Sequence, residues 1–371
     1  MTAQEIFKYI EDWAPPGSAW EKDNVGIQVG SREVKIKNIM LSLELTQEVL
    51  DEAANKKCNL IITHHPLIFN PIKKIDTQKN SQAKLIEQLI KKEITLYSAH
   101  TNLDFTKDGV SFELAKVLKL KDPKFLLHAD KNQFKVAVFV PIENTEQVAD
   151  AVFKAGAGII GEYNSCSFRL KGEGTFKGSK KSNPKVGVKQ KFEKVEEIRL
   201  EFVVNSWNLK NVLTSLIHAH PYEEPAYDIY PLNNNNVNYG AGVIGYLEKT
   251  ITEKEFLTNT AKLLKINGLR YCDGKKKLIT KVAVCGGSGS DLLETAISAG
   301  ADVFITADVK YHTFQNAAGK ILLIDAGHYE TEIFSLNVLK RKIDNYIVDK
   351  NNKIRVYRYS KSTNPVKFYK Q

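Results

Sequence analysis

The stretch Ile61-Ile62-Thr63-His64-His65-Pro66-Leu67-Ile68-Phe69 governs how the rest of the chain reads. With the preceding Asn59 and Leu60 it opens as a short apolar, β-branched run, the pattern of a buried parallel strand flanked by helices. Two adjacent histidines follow, and then a proline that cannot continue a central strand and turns the chain. His64 and His65 are therefore expected at the carboxyl end of a core strand, where open α/β sheets place their ligand sites. Adjacent side chains on a strand point to opposite faces, so both rings can serve one site only if the strand ends there. A histidine pair at a strand end is also an ordinary loop feature, so a metal reading needs further ligands elsewhere.

Working outward, the first segment alternates helices and strands. Helices are expected at Ala3–Trp13, Thr46–Asn55 (with Thr46 as N-cap), Ser81–Lys92 and Val110–Leu118, and strands at Val34–Leu43 and Thr95–His100. The last segment returns to this rhythm, with strands at Lys281–Cys285, Val303–Thr306 and Ile321–Asp325 and helices at Asp291–Ser298 and Thr331–Ile343. Between them, strands at Phe134–Val140, Cys166–Leu170, Val195–Val204 and Ala226–Tyr230 and helices at Thr145–Ala155 and Leu209–Ala219 follow the order βαββαβ of a ferredoxin-like unit. The expected fold class is α/β: a two-part core with a mainly parallel sheet, residues 1–126 and 246–371, interrupted by a ferredoxin-like α+β insert over 127–245.

Three strand ends carry polar groups: His64 and His65; His100-Thr101-Asn102-Leu103-Asp104; and Asp325-Ala326-Gly327-His328-Tyr329-Glu330-Thr331-Glu332. In one parallel sheet all three endings would share an edge. His328 and Glu332 are four apart at a helix start and so lie on one face. Imidazoles and carboxylates without thiolates suit zinc, manganese, iron or nickel better than calcium. The donors exceed what one tetrahedral ion needs, and a shared carboxylate can bridge two ions about 3.5–4 Å apart.

Other motifs are weaker. Gly286-Gly287-Ser288-Gly289-Ser290 lies between a strand and a helix, a context for anion binding or for a tight packing turn. It misses the dinucleotide fingerprint because Leu292 holds the third glycine position. His312 follows the strand Val303–Thr306 as a candidate acid or base, or as a partner of a metal ligand. His218-Ala219-His220-Pro221-Tyr222-Glu223-Glu224-Pro225 mimics a ligand cluster, but its prolines and tyrosine read as a rigid shaped loop.

Composition narrows the class. The chain has 371 residues, 43% of them hydrophobic, with no apolar run long enough to span a membrane. The N-terminal residues form an amphipathic helix pattern without a signal-peptide core. Four scattered cysteines, Cys58, Cys166, Cys272 and Cys285, fit a reducing cytoplasm and argue against a disulfide scaffold or a cysteine zinc site. The net charge of +10 is spread along the chain rather than clustered with aromatics, which disfavours nucleic acid as a partner.

Taken together, these motifs resemble the NIF-three-like family, the GTP cyclohydrolase 1 type 2 homologs, nearly end to end. The resemblance rests on Asp23-Asn24-Val25-Gly26-Ile27-Gln28-Val29-Gly30, Thr63–Leu67, Ser98–Asp104, Gly286–Gly289 and Asp325–Glu332. Gly172-Glu173-Gly174-Thr175-Phe176 and His220–Asp228 are similar to the CutA/PII-like insert of longer bacterial members. The resemblance implies two divalent metal ions per chain held by His64, His65, Asp104, His328 and Glu332, with Glu332 bridging, and a ring-shaped homohexamer. It implies a cytoplasmic metal-dependent hydrolase acting on a nucleotide or related heterocycle, with His100 or His312 moving protons. The alternatives are a metal-dependent phosphoesterase and a non-catalytic regulatory scaffold whose insert senses a small-molecule ligand.

Overall fold

The computed structural model describes residues 1–266 and 268–369. Its strands are β1 (Gly26–Val29), β2 (Asn38–Ser42), β3 (Leu60–Thr63), β4 (Thr95–Ser98), β5 (Lys121–His128), β6 (Gln133–Pro141), β7 (Phe168–Lys177), β8 (Phe192–Asn205), β9 (Tyr227–Leu232), β10 (Gly240–Thr252), β11 (Arg270–Cys272), β12 (Leu278–Val284), β13 (Val303–Thr306), β14 (Leu322–Asp325) and β15 (Arg355–Arg358). The chain divides into two compact units, one of residues 1–127 with 239–371 and one of residues 128–238.

The first unit holds two sheets rather than one. A five-stranded sheet runs β1-β4-β3-β2-β15, parallel from β4 to β15, with β1 antiparallel at its edge. A six-stranded sheet runs β11-β14-β13-β12-β10-β5, parallel across β12, β13 and β14. β3 is buried at every position because both of its faces are covered. Leu60 and Ile62 pack with Ile6, Leu339 and Ile343, while Ile61 packs with Val49, Leu50 and Leu89. In the second sheet Val282, Val284, Ile305 and Ile324 face Leu114 and Phe256, and Ala283, Phe304 and Leu323 face Leu293 and Ala296.

Local signals act as their chemistry dictates. Thr46 Oγ1 accepts from the Val49 amide at 3.3 Å and starts the helix Gln47–Asn55; Asn80 accepts from Ala83 at 3.1 Å and starts Ser81–Lys91. Behind β12, the buried Asp302 carboxylate accepts from the amides of Thr280 and Lys281 at 2.9 and 2.8 Å and from Lys276. Burial opposes ionisation of Asp302, but these donors hold its carboxyl below the usual range. Its contribution is thus present above the ordinary aspartate pKa and is lost as pH falls below it. Asp302→Asn is expected to cost about 1–3 kcal/mol at neutral pH. The gap should narrow below about pH 3; equal denaturation midpoints at pH 7 would contradict this account.

The second unit follows the order β-α-β-β-α-β, with an antiparallel sheet β7-β8-β6-β9. Val136, Val138, Val140, Leu200, Phe202 and Val204 pack on one face against the helices Thr145–Lys154 and Ser206–Ala219 through Val148, Val152, Val212 and Leu216. The exit from this unit falls before the glycine-rich stretch near residue 245. Val243, Ile244 and Gly245 pair with Val284, Ala283 and Val282, inside the six-stranded sheet. β5 and β10 are neighbours in that sheet, so the two chain ends flanking 128–238 come together. Replacing 128–238 by a short Gly/Ser linker should leave a soluble first unit. Insoluble products across several linker lengths would show that the unit is integral to its host.

Candidate metal centre

Three chain segments turn inward where the carboxyl ends of the two sheets meet. After β3, the amides of His64 and His65 still bond to the Ser42 and Leu43 carbonyls at 3.2 and 2.8 Å, and Pro66 then ends the pairing. Both histidines leave the strand end on the same side, with ring centroids 4.9 Å apart. After β4, a single helical turn, Thr101–Asp104, lifts Asp104 back toward His64. After β14, Gly327 adopts φ +84° and starts the short helix His328–Glu332, which places His328 and Glu332 one turn apart on one face. Only β3 and β4 share a sheet; β14 belongs to the other. The single shared edge expected from the sequence is therefore two edges facing each other, because β14 pairs with β13 and β11 rather than with β3 or β4.

Ligand atoms of three overlapping sets lie within 4.8 Å of one another: His64, His65 and His100; His65, His328 and Glu332; His64, Asp104 and Glu332. Glu332 is 3% exposed. Its Oε1 lies 3.6 Å from His64 Nε2 and 3.1 Å from His328 Nε2, and its Oε2 lies 3.0 Å from His65 Nε2. Asp104 Oδ1 is 3.6 Å from His64 Nε2.

Every imidazole is oriented through its other nitrogen. Nδ1 of His64 meets the Ala99 carbonyl at 2.8 Å, Nδ1 of His65 meets Glu44 at 3.0 Å, Nδ1 of His100 meets Asp23 at 2.9 Å and Nδ1 of His328 meets Asp308 at 2.6 Å. Carbonyl and carboxylate oxygens only accept, so each Nδ1 carries a hydrogen and each Nε2 is turned inward, offering a lone pair wherever it is not itself protonated. This is the outer support that metal-binding histidines use. Nε2 of His65 and Nε2 of His328 face each other at 3.3 Å, a juxtaposition that needs a proton or a metal cation between them. Among the described residues, His64 Nε2 and Asp104 Oδ1 are buried without a hydrogen-bond partner. Buried polar atoms are ordinarily paired, so two orphans aimed at one gap fit a cation there.

Charge follows the same logic. Burial works against protonation of His65 and His328, but hydrogen bonds to Glu332, with Glu44 and Asp308 behind, outweigh it and raise these groups to about 10 and about 9. Burial also opposes ionisation of Glu332, yet the surrounding imidazoles hold its carboxyl well below the carboxylate range. Asp104 goes the other way, to about 6, through burial and the neighbouring Glu332 charge. A cation entering the cluster therefore displaces protons from imidazoles and meets an anionic Glu332.

Gly287 explains the glycine loop. At φ +63° its added Cβ would sit 2.1 Å from Glu332 Oε1. The loop amides are also occupied. Gly286 donates to Ser111 at 3.2 Å, Gly287 to Thr331 at 3.0 Å and Gly289 to Thr306 at 2.8 Å. The loop is thus a packing turn beneath the carboxylate, and the helix after it spans only Leu293–Ser298.

His100 joins the cluster, its ring 5.3 Å from that of His64. His312 does not: it is exposed, turned to Gln315 at 3.3 Å from within the helix Tyr311–Ala317, and belongs to none of the three ligand sets. Asp23, Glu44, Asp308 and Gly287 carry no local sign of their role; only Asp23 and Gly287 fall in stretches that matched a family pattern. The C-terminal segment contributes as well. Thr363 donates to the second oxygen of Glu44, and Asn364 Nδ2 donates to Glu330 at 2.8 Å.

Comparison with known proteins places the chain among close relatives. The family described as Duf34/NIF3 (NGG1p interacting factor 3) matches residues 1–365. A Halalkalibacterium halodurans protein named GTP cyclohydrolase 1 type 2 homolog is 38% identical over 367 residues, covering 98% of both chains. A Bacillus subtilis protein of the same name is 38% identical over 370 residues, covering 99% of both. The crystal structure of a Bacillus cereus protein related to NIF3 superposes with TM-score 0.84 at 35% identity, covering 100% of this chain and 99% of that one.

Proposed function

Because this chain belongs to the Duf34/NIF3 family, we propose that its converging histidines and carboxylates hold two divalent metal ions and that the protein is a metal-dependent hydrolase of a nucleotide or related heterocycle. The observation that carries this reading is the placement of Glu332. Its two oxygens lie 3.0–3.6 Å from ring nitrogens of His64, His65 and His328, so one carboxylate addresses both ligand sets.

In this reading His65 and His328 form one side of the centre, His64 and Asp104 the other, and Glu332 spans them. Glu44 and Asp308 keep the rings turned through Nδ1. Ions bound in such a centre supply Lewis acidity and a water that ionises near neutral pH. His100 has its Nδ1 on Asp23, whose carboxyl is held at about 2 because hydrogen bonds from His100 and Thr101 outweigh its burial. An anionic Asp23 leaves His100 Nε2 free to accept and return a proton at the edge of the cluster. His312, outside the three ligand sets, is given no step in this reading. A cytoplasmic, ring-shaped homohexamer belongs to the same proposal; among the described residues, no helix is long and apolar enough to cross a membrane.

Elemental analysis tests the metal half. Wild-type protein should retain up to two ions per chain, and His65→Ala and Asp104→Ala should each retain fewer; unchanged stoichiometry in both would remove these residues from the ligand set. Product analysis with GTP tests the chemistry. Formate marks ring opening, whereas phosphate or pyrophosphate marks a phosphoesterase. No turnover above Glu332→Ala with manganese, zinc, iron or nickel would leave a second reading, a metal-binding regulator. One observation favours it: the 128–238 unit carries a pocket of its own.

A further inference from the structure

The sheet of the second unit has one face covered by its helices, and the opposite face carries a cavity. Residues alternate along β6 and β8, so Phe139, Glu197 and Arg199 point away from the helices that Val138, Val140 and Leu200 cover. The cavity has a volume of about 580 Å³, within the size range of small-molecule sites. It is built from the two insert motifs that the metal centre does not use, Gly172–Phe176 on β7 and the His220–Pro225 turn.

Its chemistry is specific. Glu197 is 8% exposed. Its Oε1 accepts from the Tyr222 hydroxyl at 2.9 Å, and among the described residues no hydrogen-bond donor meets its Oε2, which lines the cavity. Among the described residues no cation pairs with it; Arg199 lies against Glu201 and over the Phe139 ring instead. Tyr222 thus satisfies one oxygen and leaves the other for a further donor. Gly174 gives it room, since a Cβ there would lie 2.2 Å from Oε2. A strand glycine with this effect commonly marks close approach of a ligand or backbone. Tyr222 is fixed from behind: its amide donates to His220 Nδ1 at 3.1 Å, and His220 Nε2 donates to the Phe139 carbonyl at 2.9 Å. The rings of Tyr222 and Phe176 stand 6.3 Å apart, offering aromatic faces beside the carboxylate. Lys171 and Lys185 stand at the rim.

We propose that this pocket binds an amino-substituted nitrogen heterocycle bearing an anionic tail, with the N–H edge of the ring donating to Glu197, the ring against Phe176 and Tyr222, and the tail toward Lys171 and Lys185. A carboxylate pairs with adjacent ring and exocyclic N–H groups through charge-assisted bonds, which an apolar or purely anionic ligand does not satisfy. The site stands independently of the metal centre and draws on none of its residues.

The probes are guanosine 5′-monophosphate, which has the N–H edge and the tail, and inosine 5′-monophosphate, which lacks the exocyclic amine. Binding to the full-length protein is followed by calorimetry. Guanosine monophosphate should bind saturably and more tightly than inosine monophosphate. Glu197→Gln should weaken it by about ten- to hundredfold, the cost of losing a bond to a charged group. Tyr222→Phe, which removes only a hydroxyl, should weaken it less and controls for misfolding of the carboxylate variant. In Asp104→Ala, altered at the metal centre, the binding event that Glu197→Gln weakens should persist. Absence of saturable binding overturns the proposal. So does equal binding by a folded Glu197→Gln protein, or loss of binding in Asp104→Ala with retention in Glu197→Gln, which would assign the nucleotide to the metal centre.

Discussion

Glu332→Gln protein is expected to emerge from desalting with at least one ion fewer per chain, no hydrolytic activity, and an unchanged far-UV spectrum. The substitution keeps the shape of the side chain and removes the one buried anion whose two oxygens face His64, His65 and His328. An amide oxygen can still ligate one ion, but it does not offset the charge of two, and its nitrogen repels a cation. The loss of affinity should exceed the roughly 10–100-fold that removing an outer partner of a metal ligand costs. Asp308→Asn supplies that benchmark, since it disturbs only the Nδ1 side of His328. A merely structural Glu332 would behave differently: the protein would melt earlier with its metal content unchanged. Full two-ion occupancy in Glu332→Gln would sink the bridging assignment.

Gly287→Ala should nearly empty the same centre with every ligand residue left in the sequence. The added methyl would stand 2.1 Å from Glu332 Oε1 and 3.3 Å from His328 Nε2, so the carboxylate has to swing away. The backbone at φ +63° adds strain of about 1–3 kcal/mol for a non-glycine residue. Gly300→Ala separates the two effects. Gly300 has φ +72° and nothing within 4 Å of its would-be Cβ, so that variant carries the backbone cost alone. Melting temperatures should fall in both, while metal content should fall only in Gly287→Ala. Parallel metal loss in the two would refer the effect to general destabilisation.

Much of the first unit was legible because its signals are local. Thr46 caps its helix through its own side chain, and the run ending in His64, His65 and Pro66 is a strand covered on both faces. The ligand-bearing turns announced themselves by composition for the same reason. What escaped depends on distant pairing. β15 joins β2 across the whole sequence, and nothing in Arg355–Arg358 alone marks a strand. β7 is solvent-exposed over most of its length and rich in lysine and glycine, so it lacks the apolar alternation that betrays a strand, and much of it reads as loop. The partition of the core into two sheets was hidden because parallel strands advertise burial but not neighbours. Asp23, Glu44 and Asp308 are ordinary surface-type residues until the fold brings each to an imidazole.

The last strand of the chain lies beside β2, among the first to be made, and the segment beyond it fastens Glu44 and Glu330 beside the metal ligands. During synthesis, the half of the centre carried by His64, His65 and Asp104 leaves the ribosome long before His328 and Glu332 exist, and its sheet still lacks an edge. Long-range closures of this kind are slow steps in folding. A chain stalled or clipped before residue 355 would own every ligand yet lack β15 and the fastening at Glu44. Metal binding should therefore be strongest once residues 355–364 have added the edge strand and fastened Glu44 and Glu330 beside the ligands.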